Sequence, residues 1–439
     1  MKRLVLWTLL CAGIFSCSKD GEFLPEQTTA TQPTKSYLIS MDSVRRIAAK
    51  LPALYSDRIL TRSSESGQVA EIKPLNRFIP NITTKSATND VSQIENIFVV
   101  NYANASGFAL ISADTRLDQV LAYSDKGDFE ETLDNPAIQG LVSNIPGYIE
   151  NQIALRRIED SIIGPEPSGE YCVDHYNYFG PETTTKGPFI TTRWGQLWPF
   201  NQYHASAIYG PTIAVVQLMA YYNWPLSMQN YESQSITVFN WPEDRGYVFG
   251  PILQMYPEAV ERVSRACHKV VNLLLENEGE SHGVTVEAIK NTYGEYGYIA
   301  DKMESYSSSL IRTDLDKARP VLMSGYSSTN WWDGDMGASG WIVDGYKDTY
   351  SSYQLVRTWY NAQNEVIDTE YFPVVPTSTK LLHINWGWDG RGDGYFLDGL
   401  FAPMQGDSYD FSTLGTTDDH HYRYTVKQLV NYRRQHDPK

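Results

Sequence analysis

Cysteine is scarce in this chain, which has four among its 439 residues. Cys11 and Cys17 lie at the extreme N-terminus, so the body of the protein has only Cys172 and Cys267. Two isolated cysteines could pair in an oxidising compartment, but they do not form the framework of a disulfide-stapled fold. Since no cysteines or histidines have the spacing of a zinc site either, we expect no metal and no other cofactor.

Basic residues are also in the minority. Lysine and arginine number 36 against 52 aspartate and glutamate residues, which gives a formal net charge of -16. A protein that binds nucleic acid needs clustered positive charge to neutralise phosphates, and the sequence has no such cluster. Nucleic acid is therefore not an expected partner, and the length is sufficient for two or three domains.

The N-terminus has the form of an export signal. A basic start at residues 1–3 precedes the apolar segment 4–15. Residues 14–17, Ile-Phe-Ser-Cys, resemble a bacterial lipobox, which implies that a signal peptide of residues 1–16 is removed and that Cys17 is acylated. An ordinary signal peptide followed by an incidental cysteine is the alternative.

A polar segment follows the lipobox. Residues 17–35 are rich in threonine, glutamine and proline and are predicted to form a tether. Within it, residues 18–22 resemble the export tag that places lipoproteins of the Bacteroides type on the outer surface of the cell. We therefore expect an extracytoplasmic protein that contacts the outer membrane only through its lipid anchor, with surface exposure implied by the tag.

The rest of the chain is predicted to form two domains. The first, residues 36–160, has an α+β pattern. Its predicted elements are a helix at 40–47, the two strands of a hairpin at 96–102 and 107–113, a third strand at 120–123 and a helix at 138–153. Residues 161–189 contain several glycines and prolines, which predicts a linker. The second domain is expected over residues 190–430.

The second domain is organised around one apolar stretch. Gly210 followed by Pro211 signals the start of a helix, because proline is preorganised for the first helical turn and has no N–H to lose there. Between Ile213 and Tyr222 only Gln217 is strongly polar, and a helix that is apolar on all sides is buried in the centre of a domain. The helix is too short to span a bilayer.

This helix and the loop before it resemble the streptopain family of papain-like cysteine peptidases. The family pattern places Gln-x-x-Pro-aromatic-Asn before a helix that begins Gly-Cys and continues to Gln-x-Met-x-Tyr. The matching residues here are Gln196, Pro199, Phe200, Asn201, Gln217, Met219, Tyr221 and Pro225. The resemblance implies that Gln196 stands at the oxyanion-hole glutamine and that Gly210 replaces the nucleophilic cysteine. A cysteine there would have its thiolate stabilised by the helix dipole, whereas glycine offers no nucleophile.

A second family motif has lost its catalytic residue as well. The family pattern Gly-His-Ala-x-Val-Ile-Asp-Gly-Tyr resembles the segment that ends at Tyr346, with residues 341–346 aligned. The histidine that serves as general base is replaced by Ser339. Imidazole can accept the thiol proton and later donate it at neutral pH, and a serine hydroxyl cannot.

The segment 382–396, which contains Asn-Trp-Gly-Trp, is the most specific match to the family. The resemblance implies that Asn385 stands where an asparagine orients the base and that Trp386 stands where an indole shields it. Because cysteine and histidine are missing, we interpret both residues as holding the fold. His383 shares a strand face with Asn385 and is one candidate substitute base, and His204 is another.

The first domain resembles the prodomain of the same family, through residues 107–114 and 120–124. In the family this domain covers the active-site cleft, and related free-standing domains inhibit such peptidases. The expected fold class is therefore α+β: a papain-like two-lobed cysteine-peptidase fold preceded by a small α+β prodomain-like domain. We expect the chain to be a pseudopeptidase whose two domains stay joined.

Three functions remain open at this point. The old cleft could bind a peptide or protein without cutting it, or the first domain could inhibit a related peptidase. The third alternative is an active cysteine-type endopeptidase of the streptopain family with a displaced nucleophile, for which Ser206, Thr212 and Cys267 are the candidates. Cys267 lies in the apolar stripe of a helix predicted over residues 258–276, which favours a role in the core.

Overall fold

A computed structural model describes most of both expected domains. The described residues are 37–55, 68–78, 91–160, 171–231, 233, 235–246, 257–278, 286–300, 302–326, 338–361, 363, 365–401, 425–430 and 433–434. The predicted signal peptide, Cys17 and the tether lie outside these ranges. None of the helices in the described ranges is long and apolar enough to cross a membrane.

The first domain combines four strands with four helices in its described residues. These elements are α1 (Met41–Tyr55), β1 (Val69–Pro74), β2 (Ile97–Tyr102), β3 (Phe108–Ser112), β4 (Val120–Ser124), α2 (Phe129–Thr132), α3 (Pro136–Ser143) and α4 (Ile145–Asp160). The predicted hairpin is confirmed, because β2 and β3 pair antiparallel. Helix α1 begins where predicted and continues eight residues further than the sequence pattern indicated, since Leu51 and Pro52 are buried as Val44 and Ala48 are.

The helix predicted over 138–153 is instead two helices. Helix α3 ends at Ser143 and α4 begins at Ile145. Pro146 explains the break, because a proline has no N–H to donate to the carbonyl four residues earlier and its ring clashes with that carbonyl. The apolar spacing therefore continues across the break between the two helices.

The second domain contains the remaining elements. In chain order they are β5 (Tyr171–Lys186), α5 (Gly210–Tyr222), β6 (Ser227–Gln229), β7 (Ile236–Val238), α6 (Trp241–Gly246), α7 (Pro257–Glu278), α8 (Val286–Glu295), β8 (Tyr298–Ile299), β9 (Lys302–Ser305), α9 (Ser308–Asp316), β10 (Val321–Tyr326), β11 (Ala338–Tyr360), β12 (Val366–Tyr371), β13 (Val375–Asn385), β14 (Gly394–Leu397), β15 (Thr425–Val430) and β16 (Arg433–Arg434). Helix α5 is the predicted central helix: its residues from Gly210 to Ala220 are all buried. It ends at Asn223, which adopts a left-handed conformation with φ of 52°.

The expected linker is largely a strand. Residues 171–186 form β5, which pairs antiparallel with β11 from Tyr360 back to Tyr346. The glycine and proline content suggested a loop, but Gly180 and Pro181 fall at an irregularity of register where β5 needs no regular ladder bonds. The preceding tyrosines and the following threonines favour a strand. Residues 171–186 of the predicted linker are therefore a strand and not a loop.

One sheet crosses the boundary between the two domains. Its strand order is β1-β2-β3-β4-β14-β13-β11-β10-β15-β9, and both β12 and β5 also pair with β11. The crossing point is the antiparallel pair β4 and β14, in which Tyr395 lies opposite Tyr123. The hydroxyl of Ser124 donates a hydrogen bond of 2.8 Å to the backbone oxygen of Asp393 at the same place. The first domain is thus hydrogen-bonded into the second through the backbone.

Of the three hydrophobic clusters among the described residues, two lie on opposite sides of this shared sheet. One joins α3 and α4 of the first domain to Trp341, Trp386 and Phe401 of the second. The other packs α5, α7 and α8 against Leu322 and Ile342. Alternation along β11 produces this division, because neighbouring residues of a strand point to opposite faces. The strand that carries position 339 is consequently covered by both domains.

Candidate active site

The start of the central helix lies beside the residues that the sequence motifs single out. A β-carbon built on Gly210 would lie 3.4 Å from the Nε2 atom of Gln196 and 3.0 Å from the backbone N and O atoms of Gly340. Gly340 directly follows Ser339 in β11. The fold therefore brings Gln196, Gly210 and the 339–340 segment together, although they are separated by up to about 140 positions in the sequence.

Helix α5 and strand β11 approach each other through their backbones. A β-carbon built on Gly340 would lie 2.7 Å from the ring Cγ of Pro211 and 2.8 Å from its Cα. Real β-carbons essentially never come so close to other heavy atoms, so position 340 accommodates only glycine without movement. The sequence patterns gave no sign of this constraint, because Gly340 falls in an otherwise ordinary strand.

Asn385 is committed to a buried polar network. Its Nδ2 atom donates to the backbone oxygen of Thr192 at 2.8 Å, and its Oδ1 atom accepts from Gln217 Nε2 at 2.9 Å and from the backbone N–H of Gly387 at 3.1 Å. Gln217 in turn accepts a 2.8 Å hydrogen bond from the Thr192 hydroxyl. Because Asn385 is 3 % exposed, these bonds satisfy an amide that burial would otherwise penalise.

Trp386 is a core residue. It is 1 % exposed, and its ring centroid lies 5.4 Å from that of Trp341 and 5.2 Å from that of Phe396. Phe401 adds a third aromatic neighbour at 6.4 Å. Trp388 is only partly buried and packs at the edge of the same core. The aromatic cluster therefore joins β11, β13 and β14 on the face that the first domain covers.

His383 contacts a buried carboxylate. Its Nδ1 atom lies 2.6 Å from Oδ1 of Asp344, which is fully buried and also accepts a hydrogen bond from the backbone N–H of Ile190. Asp393 belongs to the same charge cluster and accepts a hydrogen bond of 2.8 Å from the backbone N–H of Trp386. Burial raises the pKa of Asp393 to about 6, although that hydrogen bond and the charges of Arg193 and His383 oppose the rise.

The other proposed substitutes lie in unsuitable surroundings. Cys267 is a free cysteine in the core of α7, where burial raises the pKa of its thiol far above the usual range. Thr212 is fully buried in the first turn of α5. Ser206 is exposed in the loop before α5, and the nearby His204 contacts His268 of α7 at 3.0 Å. Each candidate base is therefore engaged with another residue.

No group of three or more histidine, cysteine, aspartate or glutamate side chains is arranged to hold a metal ion within the described ranges. The expected absence of a cofactor stays a prediction. What the arrangement offers chemically is a pair of amide groups, a helix N-terminus and a buried indole, without a thiol at position 210.

The fold and these motifs define a papain-like peptidase domain preceded by an inhibitor-like domain. Residues 194–396 match the peptidase C10 family, and residues 48–149 match the Spi protease inhibitor family. The chain therefore contains a Spi-inhibitor domain followed by a peptidase C10 domain of the streptopain family, and the expected α+β fold class is confirmed.

Two curated relatives place this match in context. The thiol protease/hemagglutinin PrtT of Porphyromonas gingivalis is 24 % identical over 341 residues, which cover 70 % of this chain and 34 % of that protein. Streptopain of Streptococcus pyogenes serotype M1 is 22 % identical over 323 residues, which cover 70 % of this chain and 74 % of streptopain. The chain thus spans about a third of the length of PrtT.

Among solved structures, a mutant fragment of prointerpain A from Prevotella intermedia is similar, with a TM-score of 0.45 and 18 % identity. The similarity covers 77 % of this chain and 95 % of that fragment. Active interpain A from the same organism has a TM-score of 0.33 and 15 % identity over 57 % of this chain.

The backbone contact between α5 and β11 predicts a large cost for a small substitution. Gly340→Ala should lower the free energy of unfolding by about 1–3 kcal/mol, because the new methyl group must displace Pro211. Chemical denaturation followed by tryptophan fluorescence measures the change. The matched control is Gly294→Ala in α8, where an added β-carbon meets nothing within 4 Å, so the variant should be unchanged or more stable by up to about 1 kcal/mol. Equal effects of the two substitutions would refute the close contact.

The raised pKa of Asp393 predicts a pH-dependent stability. The stabilising contribution of the protonated group is complete below its unfolded pKa of about 3.9 and is lost as the pH rises through about 6. Asp393→Asn keeps an acceptor for Trp386, so it should be more stable than the natural protein at pH 7.5, by up to about 3 kcal/mol, and equal to it near pH 4. Urea unfolding at both pH values tests this, with the exposed Glu370→Gln as the control for loss of one charge. A less stable Asn variant at pH 7.5 would show that the carboxylate stays ionised.

Proposed function

We propose that this protein is a catalytically inactive member of the streptopain family that binds a peptide or protein in its former cleft. The observation that carries the proposal is the glycine at the start of α5, next to Gln196 and to the strand that carries Ser339. A thiol at that position is what the family's chemistry requires. Loss of the nucleophile of such a catalytic unit lowers turnover on the order of 10⁶-fold, by analogy with serine-protease variants.

The buried network around Asn385 supports this proposal. In an active site the amide would have to hold an imidazole, yet here its acceptor atom already receives two hydrogen bonds. The network explains why the asparagine and Gln217 are present without a base: their removal would leave buried polar groups unsatisfied. Structural need alone therefore accounts for these family residues.

The alternative, an active peptidase with a displaced nucleophile, has less support. Cys267 and Thr212 are fully buried, so a polypeptide substrate cannot reach them. Ser206 is exposed, but the nearest imidazole on its loop, that of His204, is directed to His268. A serine needs a base within hydrogen-bonding reach to become a nucleophile at neutral pH.

The shared sheet favours binding over inhibition in trans. The edge of the first domain at β4 is occupied by β14, and α3 and α4 contribute to a core that includes Trp341. A first domain that inhibited another peptidase through these surfaces would have to leave its own second domain. We further propose that the protein is a lipoprotein of the cell envelope, anchored through Cys17 to the outer membrane.

Restoring the two lost residues tests the inactivity. Purified residues 22–439 should not cut an unfolded protein substrate, whereas Gly210→Cys with Ser339→His should cut it slowly. Slow rather than full activity is expected because a β-carbon at 210 lies only 3.0 Å from the Gly340 backbone and Asn385 cannot readily orient the new imidazole. Release of soluble peptides measures the rate.

The matched control for this experiment is Gly210→Ala with Ser339→His, which carries the imidazole and a β-carbon but no thiol. This control variant should not cut the substrate. Proteolysis by the natural sequence would overturn the proposal and direct attention to Ser206, Thr212 and Cys267.

Mixing experiments separate binding from regulation. A tenfold excess of this protein should leave the rate of an active streptopain-type peptidase unchanged, because the β4 edge is already paired. The rate is measured with an unfolded protein substrate to which this protein does not bind. A dose-dependent fall in rate would favour the regulator, in which the first domain inhibits a related peptidase.

A further inference from the structure

Two partly buried imidazole rings meet in the second domain. His204 lies in the loop between Gln196 and α5, and His268 lies in the middle of α7. The Nε2 atom of His204 is 3.0 Å from the Nδ1 atom of His268. Their ring centroids are 4.9 Å apart, with an angle of 52° between the planes.

We propose that His204 and His268 chelate a divalent transition-metal ion, of the class of Ni²⁺, Cu²⁺ or Zn²⁺. The approach of one Nε2 and one Nδ1 atom to within 3.0 Å of each other carries the inference. No residue of the peptidase motifs takes part, so the proposal is independent of whether the protein cuts or binds peptides.

The distance between the nitrogens fits two ligands of one ion. Metal–imidazole bonds are about 2.0 Å long, so two ligands at right angles place their nitrogens about 2.8 Å apart and two tetrahedral ligands about 3.3 Å apart. The observed 3.0 Å lies between these values. A hydrogen bond between the two rings has a similar length. The titration below distinguishes a metal site from such a hydrogen bond.

Asn272 supplies a third polar group. It lies one helical turn after His268 in α7, and its Nδ2 atom is 3.4 Å from Nδ1 of that histidine. The same atom donates to the backbone oxygen of His268 at 2.8 Å. Rotation of the amide would turn its oxygen toward the ion, and water would complete the coordination shell, as is usual for sites with few protein ligands.

The surroundings of His204 favour its unprotonated ring. Burial and the neighbouring His268 lower the pKa of His204, and metals bind the unprotonated ring. Arg265 and Lys269 are the nearby cations: they lie over the rings of Tyr203 and Tyr231, which flank His268. Glu261 balances part of this charge through its ion pair with Arg265 and its hydrogen bond from Tyr203.

A bound ion would fix the loop that precedes α5. His204 belongs to the segment that runs from Gln196 to Gly210, and Ser264 of α7 already donates to the backbone oxygen of Pro199 in that segment. A metal bridge to His268 would add a further attachment between the same loop and α7, beside the hydrogen bond of Tyr203 to Glu261. Metal binding is therefore expected to raise the midpoint of thermal unfolding, since the ion binds only the folded arrangement.

The experiment is a calorimetric titration of tag-free residues 22–439 with NiCl₂ at pH 7.5, repeated for His204→Gln and His268→Gln. The natural protein should bind one Ni²⁺ ion at this pair, and each substitution should weaken that binding at least tenfold. The control is His175→Gln, an exposed histidine of β5, which should change the affinity less than twofold. Since the chain has eight histidines, the comparison between variants identifies the site.

A second measurement guards against variants that fail to fold. The electron paramagnetic resonance spectrum of the natural protein with one equivalent of Cu²⁺ should show two nitrogen ligands in the equatorial plane. In the calorimetric titration, Ca²⁺ should produce no signal because it prefers oxygen ligands. Ni²⁺ affinity that is equal in the natural protein and both variants would overturn the proposal. The absence of Ni²⁺ binding to the natural protein would do so as well, leaving a hydrogen-bonded histidine pair.

Discussion

The structure of the second domain depends on one close contact between backbones, that of Pro211 at the start of α5 with Gly340 in β11. Glycine at both 210 and 340 lets a helix end rest directly on a strand. This contact fixes where the central helix begins, and so it fixes the place of Gln196 beside it. It also narrows the space in which a side chain at position 210 would have to stand.

The polar residues that persist around this contact have a structural explanation. Gln217 lies inside an otherwise apolar helix and is fully buried, which is costly unless both ends of its amide are bonded. Thr192, the backbone of Trp194 and Asn385 supply those bonds. Asn385, which aligns with the family's base-orienting asparagine, thus also accepts a hydrogen bond from the buried Gln217 of the central helix. Its presence does not by itself indicate activity.

Local patterns predicted local structure well. The apolar run after Pro211 and the hairpin at residues 97–112 follow from periodicity, which is read within a few positions. Pairing of β4 with β14 joins positions about 270 apart, and no periodic pattern encodes such a partner. The strand at 171–186 was missed for a related reason: its glycine and proline suggest a loop until β11 is known to lie alongside. The pair His204 and His268 likewise depends on the packing of a loop on α7.

The shared sheet changes what the first domain can be. Separating the first domain would break the ladder between β4 and β14 and would expose the apolar faces of α3 and α4. It would also expose Trp341 and Phe401, which are now 0 % and 2 % exposed. Burial of one large side chain alone stabilises a protein by about 1.5–3 kcal/mol. A peptidase that cuts its prodomain away loses this stabilising free energy at that step. If the protein has no nucleophile, as we propose, it cannot cut its own first domain away, and that domain remains in place as part of the proposed binding scaffold.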